Sequence, residues 1–493
     1  MASMEATPCE TVSQQTISLS VPDAVAPKNW STEVLFWHLQ DTDTFEKAKH
    51  DLEMGLGRLL ADVPILLGKL ARGPKDHPLD IVIKINEGAS VAFPHEDAAN
   101  VPDIPPMGEL LSNGLPLMDA LRKAVTPATS LEPVVEGSAV FCTKLTRLKD
   151  GAALAVGFSH VLTDGITASM MERIWAMHTL HVSRGLPFRK YKLETPDEEI
   201  RARLSTPARC DTEADLDSFL EVVSATEARS HLHKDVASAK EAANRTRAIM
   251  MGHLAELGEK PEARGFALWK FTPEKLIALK KAASGHDAED WISTLDALTA
   301  LFWSRVACAL GENVHNHQKS RCIFMISTRQ RLQPSVPNEY IGNVFSPAVA
   351  ACSISTLITH EVGLKAAAQS MRKASKEWTQ SRWEAWLSKI ISLPADQALS
   401  VDRKTFLQKH DFSFNDYSRF QSNDIDWGTH LGRVARTRYL KRALPAGAFG
   451  AHVHPRLPDG SLEVSLVCSD ELRRRLQKDP VFMRYAELMC FHT

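Results

Sequence analysis

The sequence has no long apolar run, no surplus of charge of either sign and no paired cysteines, and each absence removes a class of protein. No stretch approaches the ~18 consecutive apolar residues that span a bilayer. Lys plus Arg number 58 against 60 for Asp plus Glu, a net charge of −2. That balance supplies no broad positive field for nucleic acid or an anionic membrane, so neither is expected as a partner. The eight cysteines are scattered from Cys9 to Cys490 without a CxxC pair, the pattern of buried thiols in a reducing compartment rather than of a disulfide framework. The opening MASMEATPCETVSQQ lacks the basic-then-apolar layout of a secretory signal, and the closing CFHT fits a prenylation signal poorly. HExxH and GxxxxGK are missing, and the HxH pairs His231/His233, His315/His317 and His452/His454 have no Cys or acidic ligand at metal spacing. No metal site or phosphate loop is therefore expected.

What is present is an ordinary folded composition, 44% hydrophobic and 24% charged over 493 residues. That is more than one compact core organises, so two domains are expected in a cytoplasmic protein. Residues 45–72 carry helical apolar spacing, broken near Pro64 and ended by Gly68. Gly55 and Gly57 lack the third glycine and the preceding strand of a nucleotide loop, and read as part of a core helix. SAVFCTKLTRL, the Lys149-Asp150-Gly151 turn and AALAVGFS read as a hairpin. A helix follows, capped by Thr163 or Asp164, with Ile166, Met170, Ile174 and Met177 on one face and Gly185 with Pro187 as its stop. From about Ser205 to Arg264 the composition turns to Ala, Glu, Lys, Arg and His, a charged helical connector. The boundaries are then 1–204, 205–264 and 265–493. The last part opens with the strand GFALWKF, a helix started by Thr272 and Pro273, the helix STLDALTALFWSRVACAL, and strands around CIFMIS and NVFSPAVAA. Near the end, LPDGSLEVSLVCSDELRRRLQK repeats the turn–strand–helix plan of LKDGAALAVGFSHVLTDGITAS. Asp150 then matches Asp459 and His160 falls opposite Ser469.

His160 and Asp164 form an HxxxD, a weak signal alone, since His231/Asp235 and His286/Asp290 show the same spacing. Only His160 ends a buried-looking strand and enters a helix through Gly165. A histidine just ahead of a helix N-terminus feels the positive end of the helix dipole, which favours the neutral imidazole that a general base needs. An Asp before a helix is ordinarily a cap. GFSHV around Ser159 misses the nucleophile elbow GxSxG, because Val161 stands in place of the second glycine. Arg433, Arg436, Arg438, Lys441 and Arg442 form a basic cluster, either a solvated face or a site for the phosphates of a nucleotide-containing donor. Arg473, Arg474 and Arg475, in a terminal helix, read as surface.

Taken in order, four segments resemble the BAHD acyltransferase superfamily, and most of all its fungal branch that includes trichothecene 3-O-acetyltransferases. FSHVLTDG is similar to HxxxDG, STLDALTALFW to the opening of the second core helix, ISTRQRLQPSVPNEYIGNV to DxRxR…PPLPxGYxGN, and IDWGTHLGRV to DFGWGKP. Ser327 replaces the Asp of DxRxR while Arg329 and Arg331 remain. The aspartate of the last motif is Asp426 or Asp424, and Asp426 brings LGRV onto LGKP. The resemblance implies an α/β fold of two chloramphenicol-acetyltransferase-like domains, with a tunnel at their interface and His160 at its centre. It further implies an acyl-CoA, acetyl-CoA foremost, as co-substrate, a small-molecule alcohol as acceptor, no permanently bound cofactor and a monomeric enzyme. His160 is then the base, Asp164 a structural partner of an arginine such as Arg329, and Asp426 architectural with Trp427, Gly428 and Gly165. Ser293, Thr294, Arg433 and Arg436 would contact the CoA. Two other readings are a condensation-type catalyst fed by a carrier-protein thioester, against which Ser159 replaces the first His of HHxxxDG, and an idle binding relative, against which His160 is intact.

Overall fold

The computed structural model describes residues 3–39, 41–75, 77–191, 197–207, 220–256, 264–285, 291–311, 318–401, 410–440 and 449–492. His286/Asp290, His315/His317, Lys441 and Arg442 lie outside them. Among the described residues the strands make two large sheets, one mostly from each half of the chain. The first is six-stranded, in the order Ser3–Ala6, Val91–Asp97, Phe141–Leu148, Gly151–Ser159, Trp30–His38, Arg436–Tyr439. The second is seven-stranded, in the order Phe345–Ser353, Lys319–Ser327, Phe412–Asp416, Phe449–Val453, Leu462–Cys468, Gly265–Phe271, Glu487–His492. Arg436–Tyr439 belongs by sequence to the second half yet completes the first sheet, pairing antiparallel with Trp30–His38 (Tyr439 opposite Glu33).

The hairpin forms as its sequence predicts, with Asp150 at φ +58 in the turn. All nine residues of Gly151–Ser159 are buried, because helices cover both faces of that sheet. Thr42–Asp62 and Gly165–Ser183 pack on one face, and Met107–Ser112 with Asp119–Val125 on the other. Thr42–Asp62 ends at Val63, Pro64–Leu67 continues as a tight 3-10 turn, and after Gly68 the chain becomes the strand Lys69–Arg72. Gly55 is part of a core helix, and a Cβ there would stand 2.4 Å from Thr179 Oγ1, so the two helices approach at that point. The helix after the hairpin runs Gly165–Ser183 with Asp164 as its N-cap. Its buried positions include Thr167, Met171, Glu172, Ile174, Trp175 and His178, while Ile166, Met170 and Met177 are half-buried. The stripe was misjudged because this helix is covered on several sides, so polar positions are buried with the apolar ones.

Of the connector, Val236–Glu256 is helical, but Leu220–Ser224 is a strand paired with Gln397–Val401. The second core gathers around Trp269, Phe302, Trp303 and Phe482. The repeat has a structural counterpart: Leu462–Cys468 runs into Asp470–Lys478 with Ser469 as the N-cap. In the first half His160-Val161-Leu162-Thr163 is inserted between strand and cap, which turns His160 out of both elements. Arg473, Arg474 and Arg475 pair with Asp470 and Glu471 on their own helix, a solvated face as read.

Beside the first sheet, Glu33 and Glu172 are buried close to one another, with Ser422 and Tyr439 next to Glu33. Burial, and then the Glu33 carboxyl, pushes Glu172 well above the ordinary carboxylate value of 4.5, and burial raises Glu33 as well. A folded state that holds its protons more tightly than the unfolded one gains stability below that ordinary value and loses it as pH rises through the raised one. Glu172→Gln should therefore raise the melting temperature near neutral pH and flatten its decline from about pH 4.5 upward. Melting curves of both proteins between pH 5 and 8 check this, and parallel profiles would refute it.

Candidate active site

His160 follows the buried Gly151–Ser159 strand in a tight turn, half-buried, where the two halves meet. Its N–H donates to the Asn29 carbonyl (2.9 Å). Its own carbonyl accepts from Asn343 Nδ2 (2.9 Å), and the same amide donates to the Val161 carbonyl (3.2 Å). The imidazole lies against Phe345 of the second half, ring centroids 5.4 Å apart. Each half thus supplies one side of the histidine's surroundings.

Asp164 caps the helix, accepting from Thr167 N at 3.0 Å through Oδ1. Its Oδ2 accepts from Arg329 Nη2 (2.8 Å) and from Val344 N (3.1 Å). Arg329 is fully buried and also donates to the carbonyls of Pro337 (3.0 Å), Tyr340 (3.3 Å) and Gly342 (3.0 Å). The pairing expected of Asp164 and Arg329 is present, and it crosses between the halves. Arg331, the other arginine of that stretch, turns to Ser375 and the Trp378 carbonyl. A Cβ on Gly165 would stand 2.3 Å from the Phe420 ring, so only glycine admits the second half this close to the helix start.

IDWGTHLGRV forms a strap onto the first half. Trp427 is buried between Trp37 and Trp175, edge to face at 5.6 and 5.7 Å. Asp426 Oδ1 accepts from Gly428 N (3.0 Å), and Asp424 ends a short 3-10 turn. Gly428 has φ +105, and a Cβ there would meet Ser183 Oγ at 2.6 Å. His430 Nδ1 lies 2.6 Å from Asp51 Oδ2. Neither aspartate is joined to His160 by any described hydrogen bond.

Among the residues expected to meet CoA, Ser293 is the N-cap of Thr294–Leu310, its hydroxyl 2.8 Å from Asp296 in a capping box. Arg433 is exposed. Arg436 lies 3.5 Å from the fully buried Glu463, which Arg438 also pairs at 2.8 Å. The sequence suggested a solvated or phosphate-binding cluster, yet two of its five members neutralise a buried carboxylate. His231/Asp235 is a local matter, Asp235 accepting from Ser238 N at 2.8 Å. His452 and His454 line a small cleft with Tyr439, Ser465 and His492. Among the described residues no group of three ligands could hold a metal, and no helix is long and apolar enough to cross a membrane.

Sequence reasoning passed over Asn343, Asp23 and Phe345. Asn343 stood inside a quoted motif, and Ser20-Val21-Pro22-Asp23 carries the pattern of a capping box, but nothing local says that it faces a residue 320 positions away.

Residues 1–431 match the model of the Transferase family. The chain belongs to it: this is a BAHD acyltransferase. The acyltransferase is 50% identical over 486 residues to "Acyltransferase clz6" of Cochliobolus lunatus, covering 99% of this chain and 98% of that one. It is 49% identical to "Acyltransferase M4" of a Phoma species, with the same coverage. Its fold matches Fusarium graminearum TRI101, solved with coenzyme A and T-2 mycotoxin, at a TM-score of 0.74 and 17% identity over 97% of this chain and 100% of that one. Vinorine synthase matches at 0.61 and 15% identity, covering 94% and 96%. The two-domain α/β architecture expected from the resemblance is therefore the one found.

Removing one member of a buried, hydrogen-bonded ion pair strands the other charge, at a cost of about 3–5 kcal/mol. Asp164→Ala should accordingly lower the melting temperature by several degrees along with the activity. Differential scanning calorimetry beside an activity assay checks this, and lost activity with unchanged melting would contradict the anchoring role.

Proposed function

We propose that the acyltransferase moves an acyl group, acetyl foremost, from coenzyme A to a hydroxyl of a small specialised metabolite, with His160 as general base. The observation that carries this reading is the placement of His160 at the end of a buried strand, beside the other half's Phe345 and Asn343. Two relatives near 50% identity named as acyltransferases support the reaction class, and the CoA in the TRI101 structures supports the donor.

The imidazole accepts the proton of the acceptor hydroxyl as its oxygen bonds to the thioester carbonyl carbon. The tetrahedral intermediate collapses, the C–S bond breaks, and the imidazolium returns the proton to the departing thiolate. A base so placed contributes typically 10²–10⁴-fold. Asp164 holds the turn that follows His160, since its two oxygens are engaged by Thr167, Val344 and Arg329. Asp426 holds the strap. No nucleophilic serine takes part: Ser159 and Val161 are fully buried and no glycine forms an elbow.

The donor is placed at the start of the Thr294–Leu310 helix. Ser293 is committed to its cap and Arg436 to Glu463, which leaves Thr294 and Arg433 from the sequence and adds Lys280, beside Arg372, which is itself paired with Asp296 of that cap. These two cations lie over the exposed ring of Trp291 at 5.4 and 4.5 Å from its centroid. The interface between the halves serves as the tunnel, and the enzyme works as a cytoplasmic monomer.

Acetyl-CoA at 100 times its dissociation constant should stabilise the fold by about 2.7 kcal/mol, read as a thermal shift. His160→Ala should keep that shift and lose thiol release with every alcohol that the wild type acetylates. Wild-type turnover in the variant would refute the base, and activity confined to carrier-protein thioesters would refute the donor.

A further inference from the structure

We infer that Asn343 and Asp23 are positioning residues for His160, a clamp that fixes the backbone of the base from across the domain interface. The inference rests on the reading of His160 as the base. Asn343 is buried, and its side-chain amide has three acceptors at once: the carbonyls of His160 (2.9 Å) and Val161 (3.2 Å) and Asp23 Oδ1 (2.9 Å). Its backbone N–H donates to the same Asp23 oxygen at 2.7 Å. Three acceptors around one NH₂ fix which end of the amide faces the turn, because the opposite orientation would set an oxygen against three oxygens.

Asp23 is equally constrained. It is buried within the short Val21–Val25 helix, and its Oδ2 accepts from Ser20 N (3.1 Å) and Ser20 Oγ (2.6 Å). Bonds to a charged acceptor are roughly twice as strong as neutral ones, so the carboxylate holds the amide firmly while the amide holds the turn. The chain from Ser20 through Asp23 and Asn343 ends on the two successive carbonyls of His160 and Val161, the main chain that follows the imidazole. Phe345, two residues beyond Asn343, touches the ring itself. One segment of the second half therefore sets both the main chain and the side chain of the base. Asp164 works differently, since it anchors the start of the helix four residues later.

General-base transfer requires the ring nitrogen within hydrogen-bond reach of the acceptor hydroxyl, and a displacement of about 1 Å can cost on the order of 100-fold in rate. The clamp predicts a defect in rate rather than in donor affinity. Bromoacetyl-CoA tests this without knowledge of the acceptor. A ring nitrogen of His160 bonds to the reagent's methylene carbon as the C–Br bond breaks; bromide leaves and the ring proton passes to solvent. The limiting labelling rate kinact and the half-saturating concentration KI are measured by mass spectrometry of the peptide that carries His160, beside the melting temperature. For Asn343→Ala, kinact should fall about tenfold or more while KI stays within about twofold. A merely structural loss would lower the fraction of protein labelled and leave kinact of the labelled fraction unchanged, and that result overturns the clamp. If Asn343→Ala does not fold, Asp23→Asn replaces it. An amide of that size cannot accept from both Ser20 and Asn343, and kinact should fall by about threefold or more; an unchanged kinact overturns the proposal there too. Wild-type protein that is not labelled at His160 would refute the base reading and the clamp together. Labelled wild type with an unaffected Asn343→Ala refutes the clamp alone.

Discussion

The buried ion pair between Asp164 and Arg329 is the constraint on which the site depends. A guanidinium and a carboxylate taken out of water cost several kcal/mol each unless their hydrogen-bonding capacity is used. Here Asp164 receives Thr167 N, Val344 N and Arg329, and Arg329 spends its remaining terminal donors on three backbone carbonyls of the 337–342 turn. All of these partners occur together only when the two halves sit in one register. A sliding of either half by a residue would leave a buried charge bare. The pair is thus better understood as a device for registration than as a source of net stability.

The same logic accounts for the segment between Phe420 and Tyr439, which leaves the second half to finish the first. Phe420 closes on Gly165, Trp427 fills the space between Trp37 and Trp175, His430 meets Asp51, and Arg436–Tyr439 extends the first sheet. An unpaired edge on that sheet would expose the hydrogen-bonding groups of Trp30–His38 at the domain interface. The added strand covers them and carries Arg436 and Arg438 to Glu463 on the second sheet. The interface therefore has two ties of opposite polarity, an acid of the first half on an arginine of the second and two arginines of the crossing strand on an acid of the second sheet.

What could be read in the sequence and what could not divide along the distance over which a residue's partners lie. The Asp150-Gly151 turn, the cap at Asp164 and the Thr272-Pro273 helix start were legible because their determinants lie within three or four residues, whereas Ser293, read as a contact of the CoA, is a cap. His160 stood out by its place between strand and helix, and the family resemblance supplied Arg329 as its neighbour's partner. The basic cluster was ambiguous because Glu463, which neutralises part of it, lies 25 residues beyond Arg438 on another strand. The buried face of Gly165–Ser183 was misjudged because Glu172 and His178 are polar yet enclosed, the one beside Glu33 and the other 2.6 Å from Asp62. Hydrophobic periodicity has no means of registering a polar residue whose partner arrives from another element.

The double-domain plan also bears on why one half carries the histidine. Strand, turn and capped helix recur in both halves, and in the second Ser469 caps its helix directly at the end of the strand. A residue at that point is consumed by the cap. In the first half four residues, His160 to Thr163, separate strand from cap, so the cap falls to Asp164 and the first inserted residue is released from both elements. A turn released in this way has no ladder partner and no helical partner to hold it, and its backbone groups must find others. Asn29 takes the N–H of His160 and Asn343 takes its carbonyl. The insertion that frees the His160 side chain thus creates the need for contacts from outside the turn. Asn29 comes from the first half itself, and the second half supplies the partner of the carbonyl with the same segment that carries Arg329's carbonyl partners.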